Sequence, residues 1–503
     1  MTSGALIQIV ATGQQDYFLY GNPVATLWKS VHKKITPFAM ESVPLNFTGQ
    51  TSFGRKCSLV IPRNADLVSE IYLQVDLPAL ANASSGVKWT RKVGHAMIAQ
   101  QTLTIGASTI DTQYGEWLEI YYQFALRSDK KVAYNNMIGD TTLLTTSAAS
   151  IPAATVYVPM RFFFNRLPGL ALPLIALQFH NVQVDITFRD ASQLIICADP
   201  TQTYPTSGIP QMNNCQAWAD FVYLDNQERQ SFVNEQAEIL IDQVQFTGAE
   251  SYATSQVQSR LSFNHPTKAL FWMLRSSLNE AANEWLNFTN AVGYGGADTI
   301  SMANIKLNGT DRYAARDAAY HNLIQPMQHA EGGVPDRGFY LYSFGAGKSV
   351  FEHQPTGTLN MSRVDNIILS LTSQLGSTQY SLLTFALNYN ILRYLFPSFF
   401  QKVICTPMTK CICSFLLYRY RGGLGVNFSF FLIVLINDLL MLIWSLGSCI
   451  CRLNKVRYLI CGIIKSLINL FTFLSIIFAL LKCMRVFKSQ LYEEFQCFLR
   501  LLL

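Results

Sequence analysis

The sequence predicts an all-β chain built from Greek-key sandwiches, on three observations. Short apolar runs with period-2 alternation recur through residues 1–393, helical windows are few, and the segments between the runs are long and polar. Residues 156–189, VYVPMRFFFNRLPGLALPLIALQFHNVQVDITFR, show this most plainly. A strand, a corner bounded by Pro and Gly, and a second strand follow one another with almost no polar interruption, as a segment between packed sheets must. At its end Val182, Val184, Ile186 and Phe188 alternate with Gln183, Asp185, Thr187 and Arg189, one face buried and one wet.

Taken in order, residues 1–25 hold apolar patches broken by Gly4, Gly13, Gly21 and Pro23, which favours an extended arm reaching a neighbour over a helix. Ile71, Leu73, Val75 and Leu77 alternate with Tyr72, Gln74 and Asp76, and Leu103 with Ile105 continues the pattern into another strand. Glu116 to Leu126 has the spacing of a short amphipathic helix packed on a sheet, the main helical exception before residue 150. The polar stretch Asp199 to Asn214 is a loop. Strand-like Trp218 to Leu224 follows, and the charged turn DNQERQ, Asp225 to Gln230, marks a domain boundary.

Beyond it, residues 239–246, 269–274, 304–307, 339–344, 367–371 and 385–391 read as strands, with Phe385, Leu387, Tyr389 and Ile391 alternating cleanly. Asn279 to Ala303 and Asp311 to Arg337 are too long for hairpin turns, and loops of that length carry contacts. The two halves do not align with each other, so no internal duplication is visible in sequence.

Composition narrows the function classes. With 503 residues, 50% of them hydrophobic, the chain can bury large cores, and its length suggests about two to four domains. The net charge of +6 is misleading: residues 396–503 carry 12 Lys/Arg against 3 Asp/Glu, leaving 26 basic and 29 acidic residues before them. A mildly acidic body lacks the basic run that tracks a phosphate backbone, and KWTRK (Lys88 to Lys92) reads as a solvated loop rather than a nucleic-acid patch. Cys57, Cys197 and Cys215 are the body's only thiols, with eight of the 11 cysteines lying from Cys405 onward. Three widely spaced thiols make no disulfide framework, and residues 1–25 lack a charged-then-apolar leader. Both point to a reducing compartment. Sequons at Asn46, Asn82, Asn287, Asn308, Asn360 and Asn427 then read as turn chemistry rather than glycan sites.

Chemistry-bearing motifs fail on inspection. SFGAGKS, Ser343 to Ser349, ends like a phosphate loop, but Tyr342 stands where the first Gly is needed. Gly293, Gly295 and Gly296 in VGYGGAD lack a strand-helix frame and read as a flexible loop tip. The seven histidines, His32, His95, His180, His265, His321, His329 and His353, are scattered, and only His321 and His329 lie within ten residues of each other. His180 reads as a satisfied residue in an apolar strand, and His353 beside Glu352 as part of a turn with Pro355 and Gly357. No nucleophile elbow or Cys/His pairing is present. The residues thus offer no catalytic, cofactor-binding or metal site, and no enzyme is expected.

One family matches these segments. PGLALPLIALQFH after an aromatic-rich strand resembles a motif of the major capsid proteins of nucleocytoplasmic large DNA viruses. Leu6 to Ser42 looks like that family's amino-terminal arm and Asn46 to Pro78 like its first strands. WADFVYLDNQERQSF, Trp218 to Phe232, resembles the lead into its second domain, and EHQPTGTLNMSRVDNIILSLT and FALNYNILR resemble its closing strands. The matches run in family order. The resemblance implies two consecutive eight-stranded jelly rolls with short helices in loops, at residues 26–225 and 226–393 behind an arm at 1–25. It also implies homotrimeric, pseudo-hexagonal capsomers tiling the icosahedral shell of a large double-stranded DNA virus, in a virion assembled in the host cytoplasm. Implied partners are other copies of the chain, minor capsid and penton proteins, and an internal viral membrane, with no direct nucleic acid and no small-molecule substrate. The alternatives are a minor or penton-like relative of the same fold, or a carbohydrate-binding jelly roll.

Residues 394–503 break the pattern. Their vocabulary of Phe, Leu, Ile, Cys and Lys is that of a hydrophobic, helical extension, and Asn427 to Ile450 and Tyr458 to Leu481 are long enough to span a bilayer. Asn437, Asp438 and Lys465 fall inside those spans, and basic residues flank every end, so the positive-inside rule assigns no orientation. The departure from the family pattern favours translated intron, frameshift or read-through sequence, with a membrane hairpin as the rival.

Overall fold

The computed structural model describes residues 3–394 apart from 82–85, 178–179, 200–203, 205–209, 235–236 and 377, together with a strand at Val403–Thr406. The extension and its two candidate spans otherwise lie outside the described residues, as does Asn82. Sixteen strands carry the architecture. In the first half they are β1 (Phe38–Leu45), β2 (Lys56–Ile61), β3 (Leu67–Leu77), β4 (Ile98–Ile105), β5 (Ser108–Gln113), β6 (Ala154–Pro159), β7 (Val182–Phe188) and β8 (Asn214–Leu224). In the second they are β9 (Ala237–Tyr252), β10 (Gln256–Leu261), β11 (Pro266–Ser276), β12 (Ile300–Leu307), β13 (Thr310–Asp311), β14 (Tyr340–Ser343), β15 (Ile367–Ser373) and β16 (Tyr380–Tyr394).

Pairing is antiparallel throughout. The first eight strands form sheets ordered β1-β8-β3-β6 and β2-β7-β4-β5, and the next eight form β9-β16-β11-β14 and β10-β15-β12-β13. Adding eight to each label of the first pair gives the second, so the chain folds the same eight-stranded Greek key twice, a double jelly roll. The duplication that sequence does not show is a repeat of connectivity. Strand order is set by which edges pair, and many different side chains satisfy one alternating pattern.

The alternations build the cores. Ile71, Leu73, Val75 and Leu77 on β3 face Val182, Val184, Ile186 and Phe188 on β7, all nearly inaccessible, in the first sandwich. Leu270, Trp272 and Leu274 on β11 face Leu369 and Leu371 on β15 in the second. Burying each such side chain stabilises by about 1.5–3 kcal/mol.

Several expectations are corrected. The arm carries two short helices, α1 (Ser3–Val10) and α2 (Tyr17–Tyr20), rather than extended chain, because no breaker falls between Gly4 and Gly13. DNQERQ opens a helix, Asn226–Asn234, not a turn: Gln, Glu and Arg are good helix formers, and Arg229 is pinned to Asp66 at 2.9 Å. The expected helix α3 lies at Gly115–Phe124, but α4 at Ser128–Ile138 was not expected, since only Tyr134 and Ile138 of it are buried and the apolar period is weak. His180 sits in a bend before β7, its ring against Gly106, not in a strand.

Strand β16 departs most informatively. Residues 382–390 are buried on both faces, although the sequence alternates as if one face were wet. One face belongs to the core of the second sandwich. The other is covered by α3 of the first sandwich, where Trp117, Ile120 and Phe124 meet Phe271, Phe385 and Leu387.

Candidate functional site

The surface on which β16 is covered is a seam between the two sandwiches, and it holds most of the buried charge among the described residues. Helix α3 follows directly on β5, and Gly115 packs where a Cβ would lie 2.4 Å from the carbonyl oxygen of His95. From that start, Trp117 meets Phe271 edge-on at 5.6 Å between ring centroids, and Phe124 lies 5.4 Å from the same ring. Tyr114 meets Phe246 at 4.9 Å, and Phe246 stacks on Phe385 at 4.4 Å. These contacts exclude water from the charged groups around them.

Three polar clusters stud the seam. In the first, the Glu116 carboxylate accepts from Arg189 of the first sandwich at 2.6 Å and from Arg275 of β11 at 3.1 Å, and both guanidinium groups lie over the Trp285 ring. Burial opposes its charge, but the two arginines win and hold it below the ordinary carboxylate range. In the second, Asp242 of β9 pairs with Arg166 at 3.1 Å and with Lys268 at 3.5 Å, and Lys268 also donates to the Glu352 carbonyl at 2.6 Å. Burial lowers the Lys268 ammonium to about 8.

The third cluster is deepest. Lys92, in a left-handed conformation, donates to Glu119 at 2.5 Å. His95 faces Glu119 through Nδ1 at 3.1 Å and the Tyr134 hydroxyl through Nε2 at 3.0 Å. Burial works against the Glu119 charge, yet Lys92 and His95 hold it down to about 2, and burial lowers His95. A Glu–His–Tyr relay would suit proton transfer in a cleft, but His95 is wholly inaccessible here and reaches no substrate. Asp111 of β5 belongs with these groups: burial pushes it up to about 6, and it accepts the Val244 amide of β9 at 3.0 Å.

Sequence reasoning left His95 among the scattered histidines and missed all three clusters. Their only trace is the pair Glu116 and Glu119, one turn apart on an amphipathic helix.

The long excursions lock the seam. Gln123 donates to Asp336 at 2.7 Å, and the Gly332 amide donates to the Phe124 carbonyl at 2.8 Å. Asn283 donates to the Ser192 and Ile195 carbonyls, and Trp285 to Gln193. The Gly293 loop is pinned rather than flexible, its amide donating to Glu284 at 2.9 Å while Arg91 lies over Tyr294. KWTRK is neither solvated loop nor basic patch: Lys88 and Trp89 lie in a short strand, Arg91 is paired with Asp140 at 3.0 Å, and Lys92 is buried. His321 and His329 contact the Leu341 and Gly347 carbonyls respectively. Among the described residues no group of three or more His, Cys, Asp or Glu could hold a metal ion. Cys57 and Cys215 are buried free thiols, and burial pushes Cys57 up to about 12. Asn287 is fully buried and spends its side chain on Glu284, Thr289 and Ala291.

Known proteins share this fold. The family profile "Major capsid protein N-terminus" matches residues 26–225, and "Large eukaryotic DNA virus major capsid protein" matches residues 228–396. The chain is 36% identical to the major capsid protein of Pyramimonas orientalis virus, the match covering 78% of this chain and 96% of that one. It is 35% identical to that of Paramecium bursaria Chlorella virus 1, covering 78% and 97%. A quasi-atomic model of the PBCV-1 virus capsid superposes with a TM-score of 0.63 at 32% identity, over 73% of this chain and 97% of that one. The Faustovirus major capsid protein shares the fold at a TM-score of 0.64 and 12% identity, over 77% and 96%.

Proposed function

Because the chain belongs to the major capsid protein family of large eukaryotic DNA viruses, we propose that it acts by shape. Three copies make a pseudo-hexagonal capsomer, and capsomers tile an icosahedral shell. The observation that carries this reading is the repeated strand order across a dry, charge-studded seam. Two sandwiches of one connectivity, fixed side by side, give each chain two near-equivalent sixths of a turn, so three chains approximate six units around a ring. The same repeat supports a division into an arm at 1–25, a first roll at 26–225 and a second at 226–393.

The buried ionisable groups are structural in this reading, and the chain catalyses no reaction. The arm supports contact with neighbours, minor capsid or penton proteins: Leu6, Ile9, Phe18, Leu19 and Val24 are all more than half exposed, an apolar load that water does not favour. Assembly takes place in the host cytoplasm, over an internal membrane. Native mass of the purified chain tests the proposal. A species of three chain masses that forms hexagonal plates or shells is expected, and a chain that stays single at high concentration overturns it.

A further inference from the structure

Resting on that capsomer reading, we infer which surfaces of this chain meet in the ring. Within one chain the helix inserted between β5 and β6, α3, covers the outer face of the sheet β9-β16-β11-β14. The second sandwich carries a helix at the matching place, between β13 and β14: a π turn at Tyr320–Ile324 running into an α turn at Gln325–His329. One side of it, His321, Asn322, Gln325 and Pro326, is buried on its own sandwich. The other side presents Leu323, Ile324 and Met327, at 44%, 47% and 86% exposure. These three side chains show water roughly 300 Å² of apolar surface, comparable to the largest patch on a typical monomer, which is often functional.

The face that would correspond to the covered one is the outer face of β1-β8-β3-β6. It is aromatic and partly open. Tyr72 of β3 stacks with Trp218 of β8 at 6.5 Å and meets Tyr157 of β6 edge-on at 6.3 Å, with Tyr157 36% exposed. Trp218 donates to Gln74, which fixes its ring across the face, and Pro44 of β1 lies opposite it. On the second sandwich the equivalent positions hold Phe271 and Phe385, fully buried beneath α3.

One chain thus holds one satisfied helix-on-sheet contact and the two unsatisfied halves of another. In a closed ring, where the second sandwich of each copy abuts the first sandwich of the next, the halves come together. The occupant of the aromatic face is therefore a second copy of this chain: Leu323, Ile324 and Met327 of one copy cover Tyr72, Tyr157 and Trp218 of its neighbour.

Ile324→Asp, Met327→Asp and Tyr157→Asp test this in the full chain, by light scattering after size exclusion, with circular dichroism to show that the fold is kept. These positions are exposed within the chain, so the substitutions spare its core. The wild-type chain is expected as a trimer, and each variant should weaken association by at least about tenfold. In addition, Met327→Cys combined with Tyr157→Cys should give an oxidised ladder of dimer and trimer on a denaturing gel that neither single variant gives. A trimeric wild type whose Ile324→Asp and Met327→Asp variants stay fully trimeric, and whose double-cysteine variant yields no ladder, overturns the inference alone. A monomeric wild type overturns the capsomer reading beneath it.

Discussion

Replacing Glu116 with Gln should loosen the join between the two sandwiches more than any other single polar change at the seam. The carboxylate is one-twelfth exposed and holds two guanidinium groups of opposite halves, Arg189 at 11% and Arg275 at 7% side-chain exposure. The amide keeps the volume but removes the charge, leaving two cations facing each other in a dry setting. Breaking a buried pair costs about 3–5 kcal/mol, and the Trp285 ring against both arginines recovers only part of that, so a loss of about 3 kcal/mol is expected. Urea unfolding midpoints of the wild type, Glu116→Gln, Arg275→Met and the double variant give the coupling. Arg275 also reaches the Trp285 carbonyl and Glu280, which makes its single loss partly independent. A coupling above about 1.5 kcal/mol supports the reasoning; a loss under about 1 kcal/mol for Glu116→Gln, or coupling below about 0.5 kcal/mol, refutes it.

Three other outcomes are expected. Asp111 has its pKa raised from 3.8 to about 6 by burial, so its contribution is fully present below the unfolded value and is lost as pH rises through 6. Between pH 5 and 7.5 the wild type should therefore lose about 1 kcal/mol that Asp111→Asn does not, read from urea midpoints at the two pH values. Gly332→Ala should destabilise by about 1–3 kcal/mol, since its Cβ would lie 2.2 Å from the Gln123 carbonyl oxygen and force the two insertions apart, as limited proteolysis and the thermal midpoint would report. Asn287 should be free of glycan in peptide mass spectra, and Asn287→Ala should cost about 2 kcal/mol in a denaturant titration by taking one hydrogen-bond partner from each of the buried Glu284 and Thr289.

Much of the strand inventory is legible in sequence because alternation records burial on one face. Val182 to Phe188 and Ile71 to Leu77 fall on strands, with the apolar set inward. What alternation cannot record is a second burial imposed by another sheet or helix. Thr384, Asn388 and Asn390 look like a wet face, yet they are buried on the side of β16 that carries Leu382 and Ala386 into the core of the second sandwich, while Phe385 and Leu387 face α3, and Asn390 donates to Gln243. The seam clusters were illegible for a related reason. Lys92, Glu119 and Asp336 are far apart along the chain and are joined only when two insertions close on each other, so no spacing rule finds them. Likewise α4 shows little apolar period because it lies at the rim, half in water.

The double-sided burial of β16 has a mechanical corollary. A strand with no wet side leaves no lubricated plane along which one half of the subunit can glide past the other, and salt pins on either flank resist twisting as well as shear. Load applied to such a building block, whether from packed genome inside or drying outside, passes through it as through a single brick. Cracks in the wall should then run along the mortar between bricks and leave each brick whole.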